Sequence, residues 1–136
     1  MNNTLNKLIE GNKKYLLECA YHGDISNEKR FDTAKNGQHP KTCIITCSDS
    51  RVVPEIIFDA GIGELFVIRC AGNVMDDAIL GSVEYAIEHL HVDVVMVLGH
   101  TSCGAVTSTI TSAPHGFTKL ITDKIKDFDA AWMITT

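Results

Sequence analysis

Three short runs of apolar, mostly β-branched residues constrain the fold of this chain more than any other feature of its sequence. They span Thr42 to Cys47, Leu65 to Arg69 and Val92 to Gly99. Continuous apolar runs of this length are typical of strands that are buried on both faces, as in a parallel sheet. We therefore expect each run to form a strand of one buried sheet.

Helical patterns follow each of these runs. Apolar residues at helical spacing predict a helix over Asp76 to His91, with two aspartates at its amino end, where the helix dipole favours negative charge. A short helix is expected over Pro54 to Ala60, and further helices over Gly104 to Thr111 and Lys119 to Trp132. This alternation predicts an α/β fold with an open, mainly parallel β-sheet flanked by helices.

The segment before the first run is more polar. Apolar residues at mostly helical spacing predict a helix over residues 4–18. Residues 21–41 contain two glycines and a proline, which indicates a largely irregular connection that can hold a short helix over Glu28 to Lys35.

Composition excludes several classes of function. The 136 residues include 12 basic and 17 acidic side chains without a basic block, which argues against a nucleic-acid or an anionic membrane surface. No apolar run reaches the roughly 18 residues of a membrane span, and the amino terminus lacks the apolar core of a secretory signal. The five cysteines are irregularly spaced and odd in number, so we expect reduced thiols and a cytoplasmic protein.

Two predicted strands end in residues that carry chemistry. The first ends in Cys47 and the third is followed by His100 and Cys103. In open α/β sheets, ligands gather beyond the carboxyl ends of the strands, so two thiolates and one imidazole can converge on one ion there. Three protein ligands with one exchangeable position are typical of catalytic zinc. The alternative is that the cysteines are small buried apolar residues and the histidine is a hydrogen-bonded loop residue.

Asp49 and Arg51 follow directly after the first of these cysteines. A carboxylate beside a metal ion can serve as a fourth ligand or accept a hydrogen bond from metal-bound hydroxide. Arg51 can pair with both oxygens of this carboxylate and so keep the fourth position open for water. The alternative for these two residues is an ion pair on a surface loop.

The motif Cys-Ser-Asp-Ser-Arg, followed later by His-x-x-Cys, resembles the β-class carbonic anhydrases. The resemblance covers about residues 5–112 and includes Gly63 to Val67, Ala71 to Asn73 and Ser82 to Ala86. It implies Zn²⁺ bound by Cys47, His100 and Cys103, with Asp49 and Arg51 as a catalytic dyad. The implied reaction is the reversible hydration of carbon dioxide to bicarbonate and a proton, in which the dyad orients zinc-bound hydroxide.

The resemblance also implies a small substrate pocket for carbon dioxide and bicarbonate. Gln38 matches a glutamine that donates a hydrogen bond to substrate, while Phe66 and Tyr85 match aromatic residues of the pocket wall. Tyr85 is often contributed across a dimer interface, so we expect a homodimer or a higher homo-oligomer. The alternatives are solvent contact for Gln38 and ordinary core packing for the two aromatic residues.

The chain departs from the family pattern at two places. Cys70 stands where related proteins usually have asparagine, and the chain is short at its C-terminal end relative to usual members. A non-catalytic zinc-binding homologue therefore remains an alternative. Hydrolysis of carbonyl sulfide or carbon disulfide is another, since the motifs do not separate these substrates from carbon dioxide.

The expected organisation is a single domain over residues 1–136. We expect it to comprise an N-terminal helical arm, a zinc-binding α/β core and a short C-terminal helical segment, over residues 1–36, 37–112 and 113–136.

Overall fold

The computed structural model describes residues 2–19 and 23–126. In chain order its elements are α1 (Asn3–Leu16), α2 (Asn27–Asn36), β1 (Thr42–Cys47), α3 (Pro54–Ile57), β2 (Leu65–Cys70), α4 (Asp77–Glu88), β3 (Val94–Leu98), α5 (Gly104–Thr111) and α6 (Thr118–Lys126). A single 3₁₀ turn, Ala71–Asn73, follows β2. The predicted continuation of the last helix to Trp132 lies outside the described residues.

In the described part of the chain, the strands form one parallel sheet in the order β2-β1-β3. Thr42 pairs with Leu65 on one side and with Val94 on the other, so all three strands begin at the same edge. At the opposite edge Cys47 pairs with Cys70. The predicted α/β fold with an open parallel sheet flanked by helices is confirmed.

The central strand β1 is buried along its whole length. Ile44 on one of its faces packs with Leu8 of α1 and Phe58, the residue after α3. Helix α1 crosses so close to this point that a Cβ on Gly11 would lie 1.9 Å from the carbonyl oxygen of Phe58. The crossing therefore requires glycine inside a helix, where this residue is otherwise unfavourable.

Strand β3 differs from the prediction that all three apolar runs are buried on both faces. Its residues alternate between half-buried and exposed, and the side chains of Val95 and Val97 are 43% and 69% exposed. Within the described residues, β3 pairs only with β1 and is therefore an outer strand of the sheet. An apolar run predicts a strand, but the burial of its second face depends on a neighbouring layer that the run itself does not specify.

Helices α2 and α4 begin at side chains that cap them. Asp76 accepts a hydrogen bond from the backbone N–H of Ile79 at 2.8 Å and so starts α4. Ser26 accepts one from Lys29 at 3.1 Å and starts α2. Such caps satisfy backbone donors that have no partner within the helix. Across the described residues, every helix is too short or too polar to cross a bilayer.

Candidate metal centre

Cys47, His100 and Cys103 meet at the carboxyl edge of the sheet. Cys47 ends β1, while the other two residues lie between β3 and α5. Their ligand atoms all lie within 4.8 Å of one another, and the two sulfur atoms are 3.9 Å apart. Two thiolates bound to a tetrahedral zinc ion at about 2.3 Å are about 3.8 Å from each other. The donor atoms and their spacing therefore fit a zinc ion.

His100 turns one ring nitrogen toward this cluster and the other toward the backbone. Its Nδ1 lies 2.9 Å from the carbonyl oxygen of Thr101. Because a carbonyl oxygen only accepts, Nδ1 carries the proton and Nε2 keeps a free lone pair. Among the described residues, Nε2 is a buried side-chain nitrogen without a hydrogen-bond partner. A buried nitrogen left in this state destabilises a fold by about 1–3 kcal/mol, and a bound metal ion would satisfy it.

The Cys47 thiol is only 4% exposed, yet its surroundings favour ionisation. Burial raises its pKa, but hydrogen bonds to the sulfur, among them the one from the backbone N–H of Gly72 at 3.3 Å, outweigh burial and lower the pKa from 9.0 to about 7. Since zinc binds the thiolate, a lowered pKa reduces the free energy needed to deprotonate this ligand.

Arg69 of β2 braces the segment that carries Cys47 and Asp49. Its Nε donates to the carbonyl oxygen of Cys47 at 3.1 Å, and its Nη2 donates to that of Asp49 at 2.8 Å. The sequence analysis missed this residue. The available signal was a charged side chain at the end of an otherwise apolar strand.

The end of β3 is braced in a similar way. The carbonyl oxygen of Leu98, two residues before His100, accepts a hydrogen bond from Asn73 at 2.8 Å and another from Thr46 at 2.9 Å. These bonds join the ends of all three strands. The backbone that carries the imidazole is thereby tied to the strand that carries the first thiol.

Asp49 and Arg51 form a two-point ion pair beside the cluster. Arg51 Nε lies 3.0 Å from Oδ1 of Asp49 and Nη2 lies 2.8 Å from Oδ2, while the Arg51 backbone N–H donates to Oδ1 at 2.9 Å. These bonds hold the pKa of Asp49 well below its usual range. Arg51 Nη2 also donates to the Ser102 carbonyl at 3.1 Å, in the turn that precedes Cys103. The pair is thus fixed to the same turn as a candidate ligand.

The Asp49 carboxylate borders the ligand cluster without belonging to it. Its Oδ2 lies 4.0 Å from Nε2 of His100. Asp49 is not in the group whose ligand atoms all lie within 4.8 Å of one another. This position suits a hydrogen-bond acceptor next to an ion better than a fourth ligand.

The structure does not bring Gln38, Phe66 and Tyr85 to this cluster within one chain. Gln38 is exposed and precedes β1, whose six residues extend about 20 Å before they reach Cys47. Phe66 is the second residue of β2, near the opposite edge of the sheet. Its ring packs against Tyr85 of α4, with the ring centroids 6.0 Å apart. The roles of these three residues in substrate binding stay predictions.

Comparison with known proteins adds a second line of observation. A family model described as carbonic anhydrase matches residues 42–133. Carbonic anhydrase 2 of Mycobacterium tuberculosis (strain CDC 1551 / Oshkosh) is 42% identical over 123 residues, which cover 87% of this chain and 59% of that protein. The carbonic anhydrase of Mycolicibacterium smegmatis is 40% identical with the same coverage. The chain thus spans about three-fifths of the length of these relatives.

Solved structures show the same likeness. The β-carbonic anhydrase of Coccomyxa in complex with acetazolamide matches with a TM-score of 0.68 and 31% identity, over 99% of this chain and 63% of that one. One of two tetrameric β-carbonic anhydrases from Sordaria macrospora matches with a TM-score of 0.70 and 26% identity, over 99% of this chain and 71% of that one. The likeness in fold therefore extends over nearly the whole chain.

Proposed function

The chain belongs to the β-class carbonic anhydrase family, and from this membership we propose that it catalyses the reversible hydration of carbon dioxide to bicarbonate and a proton. We propose that Cys47, His100 and Cys103 hold the zinc ion that this reaction needs. The observation that carries the proposal is the buried, unpartnered Nε2 of His100 beside two thiols 3.9 Å apart. A neutral imidazole and two soft thiolates are ligands that zinc prefers.

Within the proposed reaction, Asp49 orients the nucleophile. A zinc ion held by these three residues would lower the pKa of water to about 7 and so make hydroxide available near neutral pH. The Asp49 carboxylate, kept ionised by Arg51, would accept a hydrogen bond from the nucleophile and so orient it toward the carbon atom of carbon dioxide. Because Arg51 bonds both carboxylate oxygens, it also holds the carboxylate at the border of the cluster.

A second copy of the chain is proposed to complete the substrate pocket. Gln38, Phe66 and Tyr85 lie away from the cluster in their own chain, although the resemblance implies that they contact substrate. The Tyr85 side chain is 46% exposed and so accessible to another copy. The two related β-carbonic anhydrases of Sordaria macrospora are tetrameric, which supports the proposal that copies of this chain associate with one another.

Zinc content and carbon dioxide hydration, measured on the same purified sample, test the proposal. We expect about one zinc ion per chain and hydration well above the rate in buffer alone. Cys103→Ala should lower both quantities, because it removes a ligand. The matched control is Cys19→Ala, which removes an exposed thiol outside the cluster and should change neither.

The outcomes separate the proposal from its alternatives. A full zinc complement without hydration would contradict catalysis and favour a non-catalytic zinc-binding homologue. Parallel assays with carbonyl sulfide and carbon disulfide address the hydrolase alternative. Turnover of either gas faster than carbon dioxide would overturn the proposed substrate.

A further inference from the structure

A third thiol lies at the carboxyl edge of the sheet beside the proposed zinc ligands. Cys70 ends β2, and the strand register pairs it directly with Cys47. Paired residues on neighbouring strands project toward the same face of a sheet, and their Cα atoms are about 4.8 Å apart. A disulfide spans Cα separations of about 4.4–6.8 Å. The backbone positions of this pair are therefore compatible with a disulfide.

Cys70 is also free of any ligand role in the described structure. All the described cysteines are free thiols, and Cys70 is not in the group whose ligand atoms could hold a metal ion. Cys70 is partly exposed, whereas Cys47 is 4% exposed. A small oxidant entering from solvent can thus reach this pair at the edge of the sheet.

We propose that Cys47 and Cys70 form an oxidation-sensitive pair, in which hydrogen peroxide oxidises Cys47 and Cys70 then forms a disulfide with it. This proposal goes beyond the hydration reaction but rests on the proposed zinc site, which decides between the two possible disulfide partners and gives oxidation its consequence for metal retention. Closing the disulfide consumes one of the three metal ligands. Oxidation therefore releases the metal ion, and reduction restores the ligand set.

The chemistry balances with peroxide as the only added reactant. Peroxide oxidises the Cys47 sulfur to a sulfenic acid and one water leaves. The Cys70 thiol then attacks that sulfur, the S–S bond forms and a second water leaves. In total, two thiols lose two protons and two electrons, and one peroxide becomes two waters.

Cys103 is the competing partner, because its sulfur lies 3.9 Å from that of Cys47. With a metal ion bound, however, Cys47 and Cys103 are both committed to that ion. Cys70 is the neighbouring thiol that no ion holds, and so it is the thiol available to attack. This difference predicts which disulfide forms first in the metal-loaded protein.

Peptide mapping of the zinc-loaded full chain after peroxide treatment tests the proposal. Trypsin releases residues 42–51 with Cys47 and residues 70–119 with both Cys70 and Cys103. A second cleavage before Asp76 separates the two candidate partners. Fragmentation of residues 42–51 distinguishes Cys47 from Cys43. We expect a cross-link between Cys47 and Cys70 that dithiothreitol reverses, with a mass loss of two hydrogens.

Two variants at one position provide the comparison. Cys70→Ser and Cys70→Asn should lose this cross-link and release zinc several-fold more slowly at the same peroxide dose, as measured with a chromogenic chelator. Cys19→Ala removes a thiol outside the cluster and should behave as the unmodified chain. Circular dichroism establishes whether each variant is folded. If Cys70→Ser does not fold, the comparison is made with Cys70→Asn.

Two results would overturn the proposal. One is a cross-link from Cys47 to Cys103 in place of Cys70, and the other is zinc release from Cys70→Ser at the unmodified rate. Neither result depends on carbon dioxide hydration. A chain that forms the disulfide with Cys70 but does not hydrate carbon dioxide would refute the proposed function and leave this inference standing.

Discussion

At the scale of single residues, Asp49 tests the proposed mechanism most directly. Asp49→Asn keeps the shape of the side chain but removes the charge that Arg51 stabilises. We expect carbon dioxide hydration to fall by about 10²-fold or more, because an acceptor that orients the nucleophile contributes in that range. Zinc content should stay the same, since Asp49 borders the ligand group without joining it.

Stopped-flow hydration and metal analysis on the same sample measure both effects. Asp32→Asn, which removes an exposed carboxylate of α2, is the control and should hydrate carbon dioxide normally. Loss of zinc from Asp49→Asn would instead indicate that the carboxylate is a ligand.

Arg69 is a second single residue whose role can be tested, and it acts through the backbone of the proposed metal-binding segment. Arg69→Gln removes the two hydrogen bonds that hold the carbonyl oxygens of Cys47 and Asp49. We expect zinc affinity to fall about 10-fold or more, which is typical when a residue that positions metal ligands is lost. Competition with a chelator of known affinity measures this change. Arg69→Lys should recover part of the affinity, and equal affinity in Arg69→Gln and the unmodified chain would refute the bracing role.

At the scale of elements, two glycines in helices predict opposite effects. Gly11→Ala places a Cβ 1.9 Å from the Phe58 carbonyl oxygen, and we expect unfolding to need about 1–3 kcal/mol less free energy. Gly81→Ala in α4 meets no atom within 4 Å, and we expect it to stabilise by about 0.5–1 kcal/mol. Urea unfolding of both variants measures the difference. Similar stability for the two would show that α1 does not approach α3 this closely.

The elements also show what the sequence can predict and what it cannot. β1 was predicted at Thr42 to Cys47, as observed, because its apolar run is bounded by polar residues at both ends. The meeting of Cys47 with His100 was predictable because parallel strands end at a common edge. The exposure of Val97 was not, since burial of an edge strand depends on its neighbours. The position of Gln38 beyond the amino end of β1 follows from the same apolar run that predicts β1, since residue 38 precedes Thr42.

At the scale of the whole molecule, acid stability depends on a contact between α1 and the start of β2. Burial raises the pKa of Glu64, but the Gly61 N–H at 2.7 Å and Lys7 at 2.5 Å outweigh it and lower the pKa below 4.5. Because the pKa of Glu64 is lower in the folded chain, its carboxylate stabilises the fold at pH values above the unfolded pKa of 4.5. This stabilisation is lost as the pH falls through the pKa of the folded state.

Glu64→Gln should therefore be less stable than the unmodified chain near pH 7, and its stability should fall less between pH 5 and pH 3. Thermal unfolding across this range measures the two slopes. Glu28→Gln changes an exposed carboxylate of α2 and should leave the slope unchanged. Equal slopes for Glu64→Gln and the unmodified chain would contradict the coupling between α1 and the sheet.

The buried central strand has a consequence for how a metal ion enters and leaves. β1 bonds to a strand on each side and is buried throughout, so its amides should exchange with solvent only when the whole molecule unfolds. Cys47 is anchored in that segment, whereas His100 and Cys103 flank a turn whose intervening residues, Thr101 and Ser102, are exposed. If the three residues hold a metal ion as proposed, local opening of the turn would detach the imidazole and one thiolate first. The ion would then leave from the sulfur of Cys47, and a new ion would bind there before the turn closes.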